Sequence, residues 1–367
     1  MRVFLTGATG QVGQAVLRRL ATEGVSVHAI TRGPLPTDAE GVRWFAADVG
    51  DPEAMAKAAA GCDVAVHAAR ECSHEGSLEV LGWINVAGTE NALKAARHAG
   101  VKRFVHVGCV DVTLANHDRV NWNEDKALGH RPKAPHARTE LEAEELVIGL
   151  GDAKMSTVVL RAATVWGPDD RWLLPRLIRE ARAGGVQLVG RGENLVATCY
   201  VENLAEAVWL AAQKAGAAGS LYHVTDDEMT LARDFYAGLC QALGLPAPRT
   251  GAGITAASWK ARLGVGGLSL IDVIHRGRST SFDVSPARVD LGYAPRVSVD
   301  EGLAAMTKAV AALGGADTIL AEARKPPSAD AINAQMQRAN RGGGAGPSRG
   351  RSTRGPQGPE PLACTIG

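Results

Sequence analysis

Val3-Phe4-Leu5-Thr6-Gly7-Ala8-Thr9-Gly10-Gln11-Val12-Gly13 begins as a short apolar run and then breaks into a turn with glycine at every third position. A helical pattern over 11–23 follows at once. Gly7 permits the tight turn, Gly10 lets backbone approach a pyrophosphate, and Gly13 lets strand and helix pack closely. The helix N-terminus then faces the phosphates with Thr9, Gln11 and Val12 around it. Because the glycine pattern follows a strand and opens a helix, it reads as a dinucleotide cradle rather than a steric turn.

Working outward, further strands fall at 25–30, 42–46, 64–67, 104–107 and 157–160, alternating with helices at 52–60, 78–98 and 136–150. That βαβ rhythm predicts an α/β fold: a doubly wound, Rossmann-like parallel sheet with ligands beyond the C-terminal strand ends. The dinucleotide-binding core is expected over 1–165, completed by strands within 186–224. A smaller, interleaved C-terminal substrate lobe is expected at 166–185 and 225–324, and beyond residue 166 helices are expected near 172–183, 203–214 and 231–243 with a strand near 221–224. Residues 325–367 shift to Gly, Pro, Ser and Arg, too apolar-poor to offset ordering entropy, and read as a disordered tail. Within it, Cys364-Thr365-Ile366-Gly367 imitates a prenylation box, but it ends in an atypical residue and reads as coincidence.

Composition narrows the function. Among 367 residues, 46% are apolar and 22% charged, and 40 basic against 39 acidic side chains leave a formal charge of +1. No global field draws such a chain to nucleic acid or to an anionic membrane. The N-terminus enters a strand directly, without a leader pattern, and the chain reads as cytoplasmic. Six scattered cysteines show no CxxC or other ligand spacing, so no metal site is expected from spacing.

After the second predicted strand comes Thr31-Arg32, where an NAD site usually places an acid for the ribose hydroxyl. The missing acid and the guanidinium of Arg32 favour NADP, with NAD as the alternative.

The chain resembles the extended short-chain dehydrogenase/reductase family, in particular its 3β-hydroxysteroid-dehydrogenase-like and NAD-dependent epimerase/dehydratase branch, over roughly residues 1–312. Thr6 to Gly13 resembles its TGxxGxxG turn, and Asp48-Val49 its adenine-side pair. Val66-His67-Ala68-Ala69 is similar to the segment under the nicotinamide ribose, and Asn85-Val86-Ala87-Gly88-Thr89 to the NVxGT helix start. Arg161 to Pro168 is similar to RxxxxxGP, Tyr200-Val201-Glu202-Asn203 to Y-V-x-N, and Leu291-Gly292-Tyr293-Ala294-Pro295 to LGYxP. The resemblance implies that Gly7, Thr9, Gly10, Gln11, Val12, Gly13, Arg32, Asp48, Val49, Ala68, Ala69 and Asn85 hold the cofactor. It also implies a homodimer through the helices at 78–98 and 136–150.

The same resemblance exposes a departure. The family uses a Ser, a Tyr and a Lys four residues beyond the Tyr; here Cys109, His136 and Glu140 stand in those places. Tyr needs a cation to lower a pKa of about 10, whereas His exchanges protons near 6.5 unaided. His136 and Glu140 are i,i+4, so the carboxylate is expected to orient the imidazole, and Asp111 offers a second proton shuttle. The opposite reading is that catalysis has lapsed, with His136 a surface imidazole and Glu140 part of a solvated acidic face with Glu142, Glu144 and Glu145. Cys109 reads as a small buried residue, His106 as a hydrogen-bonded core residue and His67 as a strand residue near the cofactor. Trp166, Trp172, Leu173, Leu174 and Trp209, with Trp83 and Trp122, suit a small hydrophobic metabolite, while Arg161, Arg171, Arg176 and Arg179 would suit phosphates. Three functions follow: an atypical NAD(P)-dependent oxidoreductase acting on a ketone or secondary alcohol, a non-redox acid/base enzyme retaining its dinucleotide, or a silent dinucleotide-binding protein.

Overall fold

In a computed structural model, which describes residues 1–37, 40–72, 76–129, 131–214, 219–265, 267–321 and 323, seven strands make one parallel sheet. They are β1 (Arg2–Thr6), β2 (Ser26–Thr31), β3 (Val42–Ala46), β4 (Val64–His67), β5 (Arg103–Cys109), β6 (Ser156–Ala162) and β7 (Ser220–Val224). Their order is β7-β6-β5-β4-β1-β2-β3, so the chain reverses direction across the sheet between β1 and β4. A crevice opens at such a switch point, beyond the strand C-termini.

Side-chain alternation explains both covered faces. Val3 and Leu5 of β1 pack with Ala15, Val16 and Leu20 of α1 (Gln11–Ala21), whereas Phe4 packs on the opposite face with Met55 and Ala58 of α2 (Pro52–Ala59). That second face also receives α3, which runs Leu78–Leu81, Gly82–Ala87 and Gly88–His98, and α4 (Pro135–Leu150). The middle stretch of α3 is a π-helix. Such a bulge rotates the following turn and is common where a helix serves a site.

A second core lies in the C-terminal part, where α5 (Leu173–Arg182), α7 (Ala232–Ala242) and α11 (Val299–Ala312) close around Trp166; α6 (Val201–Gln213) joins the sheet instead. Trp166 is fully buried, edge-on to Tyr200 and Phe235, and its indole N–H donates to Asp226 at 2.9 Å. The same carboxylate accepts from Thr198, Tyr200 N and Asn203, so the Tyr200-Val201-Glu202-Asn203 element is a structural knot. Trp166 is therefore core rather than ligand surface, and Trp209 lies under the Arg19 guanidinium. These two correct the expectation of a tryptophan-lined pocket.

None of the helices after α7 has a counterpart in the sequence reading: α8 (Ile254–Arg262) and α9 (Leu270–Gly277) follow α7, and α10 (Ser285–Leu291) precedes α11. α9 carries His275 back over the sheet, where Thr280–Phe282 pairs with Arg119–Trp122. Among the described residues no helix is long and apolar enough to cross a membrane. The tail expected at 325–367, with Cys364, lies outside the described residues.

Candidate active site

The cradle is a matter of backbone sterics. Gly7 has φ +70°, and a Cβ there would stand 2.6 Å from the carbonyl carbon of Ala68. The ends of β1 and β4 therefore touch, with Ala68 and Ala69 as the crevice floor. A Cβ on Gly13 would stand 2.2 Å from the carbonyl oxygen of Gly7, a collision no rotamer relieves. At Gly10 the only neighbour among the described residues would be that same oxygen at 3.3 Å, which leaves the outer side of the turn open. Gly10 caps α1 with no side-chain hydrogen bond, and the first turn holds no acid. The positive end of the helix is thus uncompensated, the local chemistry a pyrophosphate fits. Thr9 is exposed beside it, and Gln11 ties the turn to Gly167 O and Pro168 O at 3.3 Å each.

At the adenine end, Asp48 accepts from Gly50 N at 2.7 Å and lies 3.6 Å from the Arg32 guanidinium. Val49 is held by Asn91, which donates to its carbonyl at 2.9 Å, and by Gly88, where a Cβ would come within 2.9 Å of Val49 Cγ2. Asn85, in the π-turn, accepts from Glu71 N at 2.8 Å and donates to Glu71 O and Thr139. Only 2% exposed, Asn85 clamps the loop after β4 against α4, where the sequence reading expected a cofactor contact. Below this floor His67 bridges Thr6 at 2.7 Å and Thr89 at 3.0 Å, and burial pulls its pKa down to about 4. It is a neutral strut. His106 stacks on it at 5.6 Å, but neither of its buried ring nitrogens has a hydrogen-bond partner among the described residues, contrary to the expected bonded core histidine. Burial holds His106 neutral too.

The replaced row is buried, not a surface helix face. His136, in the first turn of α4, is 4% exposed, Glu140 2% and Cys109, at the end of β5, 6%. Cys109 Sγ lies 3.7 Å from His136 Nε2, and Asp111 Oδ2 lies 3.5 Å from the same nitrogen. The other oxygen of Asp111 lies 3.5 Å from His275 Nε2. Burial works against charge on His275, but Asp111 outweighs it and raises the pKa. Burial, reinforced by Glu140 and Asp111, drives the Cys109 thiol well above its ordinary pKa, so it rests protonated.

Glu140 lies 3.5 Å from the guanidinium of Arg70. Burial pushes its pKa up to about 7, with Arg70 opposing and Asp111 and Glu144 adding to the rise. The carboxylate found at the imidazole Nε2 is that of Asp111, where the i,i+4 spacing pointed to Glu140. Glu144 is no solvated acid either: it takes both nitrogens of the Arg161 fork in the interior. That ion pair also removes Arg161 from any phosphate role, as the Asp272 and Glu180 contacts do for Arg176. Arg70 and His275 escaped the sequence reading. Arg70 directly follows Val66-His67-Ala68-Ala69, and a Lys-to-Glu exchange in a buried row calls for a nearby cation; His275 sits in no motif.

On the lobe side, Val110, Asp111, Leu114, Ile274, His275 and Phe282 line a small cavity of about 20 Å³, room for roughly one water. Its walls are mixed: Thr113, His117, Arg119, Thr164 and Thr280 join Asp111 and His275 among the apolar side chains.

Known proteins resemble this chain in sequence and fold. The profile of the NAD dependent epimerase/dehydratase family matches residues 3–224. The 2-alkyl-3-oxoalkanoate reductase of Stenotrophomonas maltophilia is 34% identical over 326 residues, covering 83% of this chain and 97% of that protein. The 4-hydroxy-2-methyl-3-oxo-4-farnesyl-3,4-dihydroquinoline-1-oxide ketoreductase of Stigmatella aurantiaca is 32% identical over 330 residues, covering 86% and 98%. Among solved structures, MoeE5 in complex with UDP-glucuronic acid and NAD superposes with a TM-score of 0.69 at 25% identity, covering 85% of this chain and 99% of that one.

Proposed function

The chain belongs to the NAD dependent epimerase/dehydratase family of extended short-chain dehydrogenases and is an NAD(P)-dependent oxidoreductase; we propose that it interconverts a ketone and a secondary alcohol on an alkyl-chain metabolite, with His136 as the proton-transfer group. One observation carries this reading: a sterically complete cradle opens onto the crevice where a buried imidazole, flanked by Asp111, replaces the family's phenol. The substrate class is supported by the two ketoreductase relatives.

The cradle residues fit a dinucleotide, with the α1 N-terminus for the pyrophosphate and Asp48 and Val49 at the adenine. Arg32 directly follows β2, where an NAD site usually places its acid, and this supports NADP over NAD although Asp48 lies 3.6 Å from its guanidinium. When bound, the nicotinamide supplies or accepts the hydride. The chain supplies the proton: His136 Nε2 gives it to the carbonyl oxygen as the alcohol forms, and takes it back in the reverse direction. Asp111 stabilises the imidazolium and leads to His275, whose side chain is 25% exposed and opens the way to solvent. Arg70 restores a cation beside the position that lost its lysine.

The test is a substrate panel followed by NADPH absorbance. A 2-alkyl-3-oxoalkanoate series should drive oxidation, with efficiency rising along the alkyl chain, and UDP-sugars should not. Consumption of a substrate without NADPH oxidation would instead mark acid/base chemistry with a retained dinucleotide.

A further inference from the structure

Cys109, Asp111 and His136 bring one sulfur, one oxygen and one nitrogen within 4.8 Å of one another. The two measured gaps at His136 Nε2 are 3.7 Å to sulfur and 3.5 Å to oxygen. A charge-assisted imidazole–carboxylate bond would be about 2.7–2.9 Å, so the second gap is too wide for one. Ligands sharing a tetrahedral ion at about 2.0–2.3 Å stand about 3.3–3.6 Å apart, and the two gaps at Nε2 lie close to that spacing, with the sulfur and a carboxylate oxygen within 4.8 Å of each other.

Direction points the same way. In a thiol–imidazole–carboxylate relay the sulfur and the acid address opposite ring nitrogens. Here both converge on Nε2, and one nitrogen offers one proton or one lone pair. A sulfur, an imidazole and a carboxylate together are the donors of zinc-class sites, not of oxygen-only magnesium or calcium sites. The three sit on rigid ground, at the end of β5, in the turn that follows it and in the first turn of α4. His275, 3.5 Å from the other Asp111 oxygen, supplies the kind of outer contact that orients a ligating carboxylate.

We propose that Cys109, Asp111 and His136 form a three-ligand site for a zinc-class divalent cation, its fourth position left to water or another oxygen ligand. Binding deprotonates the thiol: a metal–sulfur bond replaces S–H and the proton leaves to solvent. The ion also takes the Nε2 lone pair, so a filled site and proton transfer by His136 exclude each other. Zinc is then an inhibitor. This consequence rests on the oxidoreductase reading; the binding site itself does not.

Cobalt(II) titration of the chelator-treated full chain, without nucleotide or ketone, tests the site. The expected result is a near-ultraviolet thiolate-to-cobalt charge-transfer band that saturates at one ion per chain and is displaced by zinc. Cys109→Ser should abolish the band, and Asp111→Asn and His136→Asn should each weaken binding at least about tenfold, as even outer contacts are worth about that much. Cys72→Ser should leave the band intact. Thermal unfolding of each variant separates a lost ligand from a lost fold, with Cys109→Ala as the second variant at the sulfur. No band, or a band that survives both Cys109 changes, overturns the site. Zinc that leaves ketone reduction unaffected, or that is required for it, overturns the exclusion. A missing band leaves the redox reading standing, and absent turnover leaves the cobalt result unchanged, so the two fail separately.

Discussion

The two sides of the crevice use polar groups in opposite ways. Under the cradle floor the polar side chains are neutral and tied to one another: Thr6, His67 and Thr89 form one hydrogen-bonded line, with His67 held uncharged by burial. Across the crevice Arg70, Glu140, Asp111, His136 and His275 gather ionisable groups at separations near 3.5 Å. The cradle works through backbone shape, which a single methyl group disrupts. The row works through side-chain chemistry, and such groups can be exchanged together provided that charge stays balanced.

The largest effect should come from breaking the cradle. Gly13→Val places branched carbons against the Gly7 carbonyl, and nucleotide binding, followed by NADPH fluorescence, should be lost. Overpacking of this kind costs about 1–3 kcal/mol of stability or more, readable in the unfolding midpoint. On the other side, His136→Ala should lower kcat by about 10²- to 10⁴-fold, the usual worth of general acid–base catalysis, with nucleotide affinity unchanged. Equal losses in both quantities would show that the two sides are not separable.

A subtler probe uses the charge itself. Folding raises the Glu140 pKa to about 7, against the pull of Arg70 and with Asp111, Glu144 and the Cys109 contact around it. A raised folded pKa means that the stabilisation is complete below the unfolded value and is lost as pH rises through about 7. Between about pH 5 and about pH 8, the wild type should lose up to about 3 kcal/mol of unfolding free energy relative to Glu140→Gln. Denaturant midpoints across that range check it, and parallel profiles would remove Glu140 from the account. The smallest change belongs to Arg32→Ala: about a tenfold loss of NADPH affinity with NADH affinity kept, measured by fluorescence titration.

What could be read in the sequence follows the same division. The seven strands and the glycine turn were legible because their main constraints are local: alternation along a strand, and the collision of a Gly13 Cβ with Gly7 six residues before it. Cys109, His136 and Glu140 were found by register against a familiar row, but their partners were not. Asp111 reaches His136 across 25 residues and Arg70 reaches Glu140 across 70, and no spacing rule links such pairs. The i,i+4 rule named the wrong carboxylate because α4 is packed on both its flanks, where tertiary neighbours outweigh helix spacing. Trp166 misled for a related reason: composition counts aromatic rings but cannot say that one of them is the centre of a core.

The central claim is that an unaltered cradle still delivers hydride to a carbonyl beside a rebuilt row. Single-turnover reaction of 4,4-dideuterated NADPH with a 2-alkyl-3-oxoalkanoate, under chelation, tests it most directly. The account predicts one deuterium at the carbinol carbon of the product, formed by wild type far faster than by His136→Ala. Tight NADPH binding with no deuterium in any product would contradict it.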